Sequence, residues 1–332
     1  MTPNLSRILG QNPGPYTLQG TNTYMLWIPP RRILIDVAEG KPAYVEYLEE
    51  ECRNRDPYET EPITDIILTH YHHDHTQGLA DVVEMCKRLW PKAALPTVHK
   101  FPHAQQDPKL DFDRLGIKIE NITDGLEWAD GTVQFMHTPG HTADSICILV
   151  KEPFPYIISA DTILGAGTTV FENLSEYLIS LRLLRDTCAR ICSPNSKPRT
   201  MIPIYPGHGP MIQDGLVKID EYITHRLERE AEIFEIIRSA PRNNKEQLQQ
   251  QQQQQPADLY SPTSLSSSQT NQGVTVEEIV QEVYKGKIPP SVVPAASRGV
   301  KLHLEKLIDD GKVVKNDSED EKHTYSLAQN QV

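Results

Sequence analysis

Between Thr69 and His75 the chain reads T-H-Y-H-H-D-H, four imidazoles and a carboxylate within seven residues. Imidazole and carboxylate are donors suited to zinc and similar first-row divalent ions. Written as H-x-H-x-D-H, the motif separates into His70, His72, Asp74 and His75. Alternate residues of an extended segment point the same way, so His70 and His72 are placed to grip one ion together. Asp74 and His75 then turn toward a second ion as a helix begins. Tyr71 and His73 fall on the opposite side, and His73 is read as a surface or supporting residue.

Four donors do not complete two metal shells, so later segments must contribute. H-T-P-G-H-T (137–142) offers His137 and His141, S-A-D-T (159–162) offers Asp161, and Y-P-G-H-G-P (205–210) offers His208 between two glycines. Taken singly these are weak signals, since an Asp behind a strand is commonly a turn or cap residue. Together with the first motif they form a specific set. Covalent catalysis has less support: no G-x-S-x-G elbow occurs and none of these segments holds a cysteine.

The elements that must position these donors are short apolar runs. Residues 22–28 and 32–37 read as two strands split by Pro29-Pro30, and 64–68 is a buried strand that runs into the histidine cluster. Further strands are expected at 132–136, 145–150, 156–160 and 201–205, and helices at 41–53, 76–90, 173–192 and 216–240. Strands mixed with helices point to an α/β layered domain with two sheets. Each donor segment follows a strand, where loops on a rigid sheet carry function.

Three regions follow from composition: a domain over 1–241 with a trailing helix, a linker at 242–273, and a module at 274–332. The linker contains an unbroken glutamine run, Gln249–Gln255, and a serine-rich stretch. Such a segment buries too little apolar surface to offset its ordering entropy, so it is expected to be disordered and without a catalytic role. In the last module Thr275 and Glu278 fit a capping box. A helix to Tyr284, a second near 295–309 and a hairpin from 312–315 and 323–327 make a winged-helix-like pattern.

These motifs, in this order, resemble the metallo-β-lactamase superfamily over about residues 5–215. T-L-Q-G-T-N-T-Y (17–24) and the C-terminal module add to the likeness, which is nearest to the glyoxalase II-related endoribonucleases of that family. The resemblance implies an αββα metallo-β-lactamase sandwich with a C-terminal winged-helix-like module and two zinc ions per chain. It assigns His70, His72 and His141 to one ion, Asp74, His75 and His208 to the other, and Asp161 as the bridge. Asp74 and Asp161 are then the catalytic carboxylates, Asp36 supports the site from behind, and His137 is structural. Ser145 departs from the pattern, because many relatives carry histidine there.

Two divalent ions about 3.5–4 Å apart lower the pKa of a shared water and stabilise the charge that develops on the electrophile. The reaction implied is phosphodiester hydrolysis of single-stranded RNA. The alternatives are thioester hydrolysis in the manner of glyoxalase II and a metal-stabilised binding protein without turnover. Net charge is −12, so the chain as a whole does not advertise nucleic-acid binding. Residues 274–332 hold eight Lys/Arg against ten Asp/Glu, so RNA rests on the resemblance, with only Lys285, Lys287, Arg298 and Lys301 clustered near the module's helices.

Five scattered cysteines without a CxxC pair suggest free thiols in a reducing compartment. No run is apolar enough for a membrane span, and no obligate protein partner is evident. Residues 1–35 lack Asp and Glu, as transit peptides do. The resemblance implies the mitochondrial matrix, with the cytosol as the alternative.

Overall fold

The structure is a computed structural model and describes residues 4–54, 61–110, 112–192, 201–240, 273–317 and 323–328. The chain divides into two compact units, Met1–Thr224 and His225–Val332. The glutamine-rich linker lies outside the described residues, apart from Gly273.

Two sheets build the first unit. One has six strands in sequence order: β1 (Leu5–Leu9), β2 (Asn22–Ile28), β3 (Arg31–Ile35), β4 (Asp65–Leu68), β5 (Thr97–Lys100) and β6 (Ile119–Asn121). The first three are antiparallel, and β4, β5 and β6 continue parallel to β3. The second sheet runs in the order β11 (Ile204–Pro206), β10 (Tyr156–Ala160), β9 (Ile146–Val150), β8 (Val133–His137), β7 (Glu127–Trp128). Only its β10–β11 pair is parallel.

Strand β2, N-T-Y-M-L-W-I, is buried at every position, which is why its sequence is almost continuously apolar. Tyr24, Leu26 and Ile28 share a core with Phe135, Ile148, Tyr156 and Ile158 of the other sheet. Met25 and Trp27 point to the opposite face, into a core shared with Tyr44 and Leu48 of helix α1 (Pro42–Asn54) and with Val82 and Val83 of a helix at Leu79–Leu89. On the far side a helix at Leu174–Ile191 buries Tyr177, Leu178, Leu181 and Leu184. Its Tyr177 hydroxyl donates to Thr162 O at 2.7 Å, and Ser180 donates to Pro139 O at 2.7 Å. The layering is helix, sheet, sheet, helix, as the resemblance implied.

The C-terminal unit has its own apolar core. Ile233 and Ile237, from the last turns of the helix Gly215–Ser239, pack with Ile279, Val280, Val300, Leu304, Leu307 and Tyr325. The division between units therefore falls inside that helix, not at residue 241 where composition put it. The expected capping box is formed by Thr275 and Glu278 at the start of Val276–Tyr284. A second helix, Val293–Asp309, leads to the antiparallel pair β12 (Val313–Asn316) and β13 (Thr324–Leu327).

The elements differ from the sequence reading in the following places. Strands β1, β5, β6 and β7 were not expected, and β5 escaped because T-V-H-K buries a histidine and a lysine. The strand read at 201–205 is only Ile204–Pro206. The helix expected from 76 begins at His73, stops at Thr76 and resumes at Leu79. Gly78 sits at that break because a Cβ there would lie 2.0 Å from the Val37 carbonyl oxygen.

Candidate metal centre

All seven predicted donors meet at the C-terminal ends of the strands. Strand β4 delivers His70 and His72, and the short helix His73–Thr76 delivers Asp74 and His75. His141 lies in the loop after β8, Asp161 directly after β10, and His208 after β11. A register shift between Ile158 and Ala160, with Ala160 at a positive φ of 44°, breaks the ladder where Asp161 must leave it. Gly207 lets the neighbouring strand pass, because a Cβ there would stand 2.2 Å from Asp161 Oδ1.

Two groups form, one of His70, His72, His141 and Asp161, the other of Asp74, His75 and His208. In the first, His70 Nε2 is 3.0 Å from His72 Nδ1, and His141 Nε2 is 3.3 and 3.1 Å from these two atoms. Around a tetrahedral zinc with Zn–N of about 2.0–2.1 Å, neighbouring donor atoms stand about 3.3 Å apart. In the second group His208 Nε2 lies 3.2 Å from Asp74 Oδ2 and His75 Nε2 lies 3.4 Å from it. Asp161 joins the halves: its Oδ2 is 3.3 Å from His208 Nε2 and 3.7 Å from His141 Nε2.

Support from behind sets which nitrogen faces the site. His70 Nδ1 is 3.0 Å from Thr69 Oγ1, His141 Nδ1 is 2.8 Å from the Val170 carbonyl oxygen, and His75 Nδ1 is 2.7 Å from Asp36 Oδ2. A proton held at Nδ1 by a carbonyl or carboxylate acceptor leaves Nε2 as a lone pair aimed inward. Asp36 also accepts from Thr69 N and Thr69 Oγ1, both at 2.8 Å. Asp36 is buried, and its positive φ of 59° is an uncommon conformation for a residue with a side chain.

Electrostatics separate the two groups. Burial, and then the neighbouring rings, push the His70 imidazole well below its ordinary value and bring His72 down to about 4. Both are neutral bases at pH 7, the form a metal requires. Burial also opposes charge on His208 and His75, but it is overcome by carboxylates, chiefly Asp161 for His208 and Asp74 for His75. His208 is raised to about 9, and His75 well above its usual range. Burial likewise opposes ionisation of Asp74 and Asp161, and His75 and His208 overcome it, so both stay well below the carboxylate range. The field that draws protons here would equally draw a cation, and the two compete for the same nitrogens.

The donor set fits a pair of divalent cations. His75 Nε2 and Asp161 Oδ1 are buried and face one another at 3.4 Å without a hydrogen-bond partner. Buried polar atoms left this way are costly unless something coordinates them. A cleft of about 480 Å³ reaches the donors, walled by residues from 12–18 and 164–170. Glu39 lines it, and no Lys or Arg is among the described residues that do.

His73 and His137 stand outside both groups. His73 is exposed, and His137 lies 2.8 Å through Nε2 from Ala143 O and stacks on Phe101 at 3.7 Å. Ser145 binds Thr142 Oγ1 at 2.7 Å and so closes the His141 loop. Sequence reasoning missed Thr69, Val170, Thr21 and Lys100. Buried Lys100 bonds Phe101 O and Asp107 and lies 3.5 Å from Asp144, three residues beyond His141. Nothing in residue type or spacing marks Val170 or Lys100, and Thr21 lies in the T-L-Q-G-T-N-T-Y stretch without a role of its own there. Thr69, beside His70 in the motif, is the one a search for outer partners could have found.

Residues 16–192 match the family described as the Metallo-beta-lactamase superfamily, and residues 275–322 match the Beta-lactamase associated winged helix domain. The chain is 34% identical over 311 residues to the Beta-lactamase-like protein 2 homolog of Caenorhabditis elegans, covering 93% of this chain and 85% of that protein. It is 29% identical over 314 residues to an Atrochrysone carboxyl ACP thioesterase of Aspergillus novofumigatus, covering 94% of this chain and 81% of that one. A beta-lactamase domain protein from Burkholderia ambifaria has the same fold, with a TM-score of 0.65 at 17% identity over 98% of this chain and 93% of that one.

Proposed function

Because the chain belongs to the metallo-β-lactamase superfamily of hydrolases, we propose that its seven donors hold two zinc ions and that it cleaves the phosphodiester bonds of single-stranded RNA. The observation that carries the metal reading is the approach of three imidazole nitrogens to 3.0–3.3 Å of one another, a spacing that makes sense around a shared cation. Two such ions would polarise the scissile group and ionise water near neutral pH.

The chain's own groups supply the rest. Asp161, common to both halves of the cluster, balances the charge of the pair. Asp74 lines the cleft as a carboxylate and accepts a hydrogen bond from the attacking water. It orients that water more than it removes the proton, because a carboxylate engaged by a divalent cation is a weak base. Tyr16 lines the same cleft with 73% of its surface exposed, which suits stacking on an unpaired base. A winged-helix unit on the same chain offers a second surface for a strand.

Thioester hydrolysis is the second reading, and two observations favour it. The described cleft lining carries no Lys or Arg to meet a polyanion, and one relative over most of the chain is named as an acyl carrier protein thioesterase. The deciding experiment incubates labelled single-stranded RNA and a panel of acyl thioesters with zinc-loaded wild type and Asp161→Ala. RNA cleavage lost on substitution supports the proposal. Thioester turnover without RNA cleavage replaces it with the second reading.

A further inference from the structure

We propose that Thr21 and Asn12 are positioning residues for Asp74, fixing the carboxylate that serves the Asp74–His75–His208 half of the centre. The inference rests on the reading that this half holds a cation. Thr21 is fully buried and Asn12 nearly so, and the direction of every hydrogen bond between them is determined. Thr21 N donates to Asn12 Oδ1 at 2.8 Å, which orients the amide. Asn12 Nδ2 is thereby turned to donate to Thr21 Oγ1 at 3.0 Å. With a lone pair of that oxygen taken, its single hydrogen goes to Asp74 Oδ2 at 3.1 Å.

Asp74 Oδ2 is the oxygen that faces His208 and His75. The hydroxyl therefore pins the donor oxygen itself. The relay also reaches the cleft. Thr17 Oγ1 bonds the Asn12 carbonyl at 2.5 Å, and residues 12–18 form one wall. Thr21 also pairs with His208 in an antiparallel backbone bridge, with Asn22 N donating to Gly207 O at 2.7 Å beside it, so the backbone that carries His208 runs next to the same residue.

The test is sequential loading of the metal-free full chain with cobalt(II), followed by its visible absorption and by competition with a chromophoric chelator. Wild type, Thr21→Val and Thr21→Ser are compared, and circular dichroism reports folding. Valine keeps the shape and removes the hydroxyl, whereas serine keeps the hydroxyl. Loss of such an outer partner weakens metal binding about 10–100-fold. The expected result is a loss of that size for one of two ions in Thr21→Val, with a changed spectrum, and near wild-type behaviour in Thr21→Ser. Equal weakening of both ions, unchanged binding, or a Thr21→Ser that behaves like Thr21→Val overturns the proposal. Should Thr21→Val fail to fold, Asn12→Ala decides: it frees the hydroxyl to turn away, and unchanged binding of both ions overturns the relay. Wild type that takes up no cobalt overturns the metal centre as well, which separates that failure from this one.

Discussion

Asp36→Asn is the sharpest probe of how the centre is held. Asp36 accepts three hydrogen bonds, from Thr69 N, Thr69 Oγ1 and His75 Nδ1, at 2.7–2.8 Å. An asparagine of the same shape can still accept from Thr69 N through its oxygen. Its amide nitrogen then replaces the oxygen that faces His75, so two donors meet at 2.7 Å. The ring relieves this by moving its proton to Nε2, the atom directed at Asp74 and Asp161. That removes the lone pair a cation needs. A hydrogen bond to a charged partner contributes about 1.5–3 kcal/mol, which corresponds to about a 10–150-fold loss of affinity for one ion. Chelator competition measures the loss, and nitrogen-15 NMR of the imidazoles reports the tautomer. A folded Asp36→Asn that binds two ions as tightly as wild type, with the His75 proton still on Nδ1, would refute the reasoning.

Three further outcomes are expected. Gly140→Ala should lower thermal stability by about 3 kcal/mol or more, because Gly140 has φ +123° and a Cβ would lie 2.3 Å from Tyr177 N; thermal unfolding checks it. Gly207→Ala should abolish turnover while leaving the circular dichroism spectrum near wild type, since its methyl strikes Asp161 Oδ1 at 2.2 Å. The C-terminal unit should lose stability as pH falls from 6.5 toward 4. His303 is held down to about 4, first by burial and further by Arg226 and Arg229, against its Gly299 bond and Glu230. The unfolded chain takes up that proton near pH 6.5 and the folded one refuses it, so stability is full above 6.5. It falls by about 3 kcal/mol across the window. Denaturant titrations at stepped pH should show this slope, and His303→Gln should flatten it.

Much of the centre is legible in the sequence because its donors are chemically distinctive and locally spaced. Four sit within six residues, and H-x-H-x-D-H read on a strand leading into a helix already separates them into two pairs. The capping box of Thr275 and Glu278 is an equally local property. Strand β2 was visible because burial on both faces demands a continuous apolar run. Strand β5 was hidden because its buried His99 and Lys100 are satisfied by Asp65 and Asp107, partners that only the fold supplies.

Tertiary structure alone decided the rest. That Asp161, His141 and His208 reach the same few ångströms follows from where β8, β10 and β11 end in one sheet, not from any spacing along the chain. The partners that aim each ring, the Val170 carbonyl, Thr69 and the Thr21–Asn12 pair, are common residue types made special by position. A donor's identity is a property of its side chain and survives in the sequence. Its orientation is a property of the atoms packed behind it, and those are assembled only when distant segments fold together.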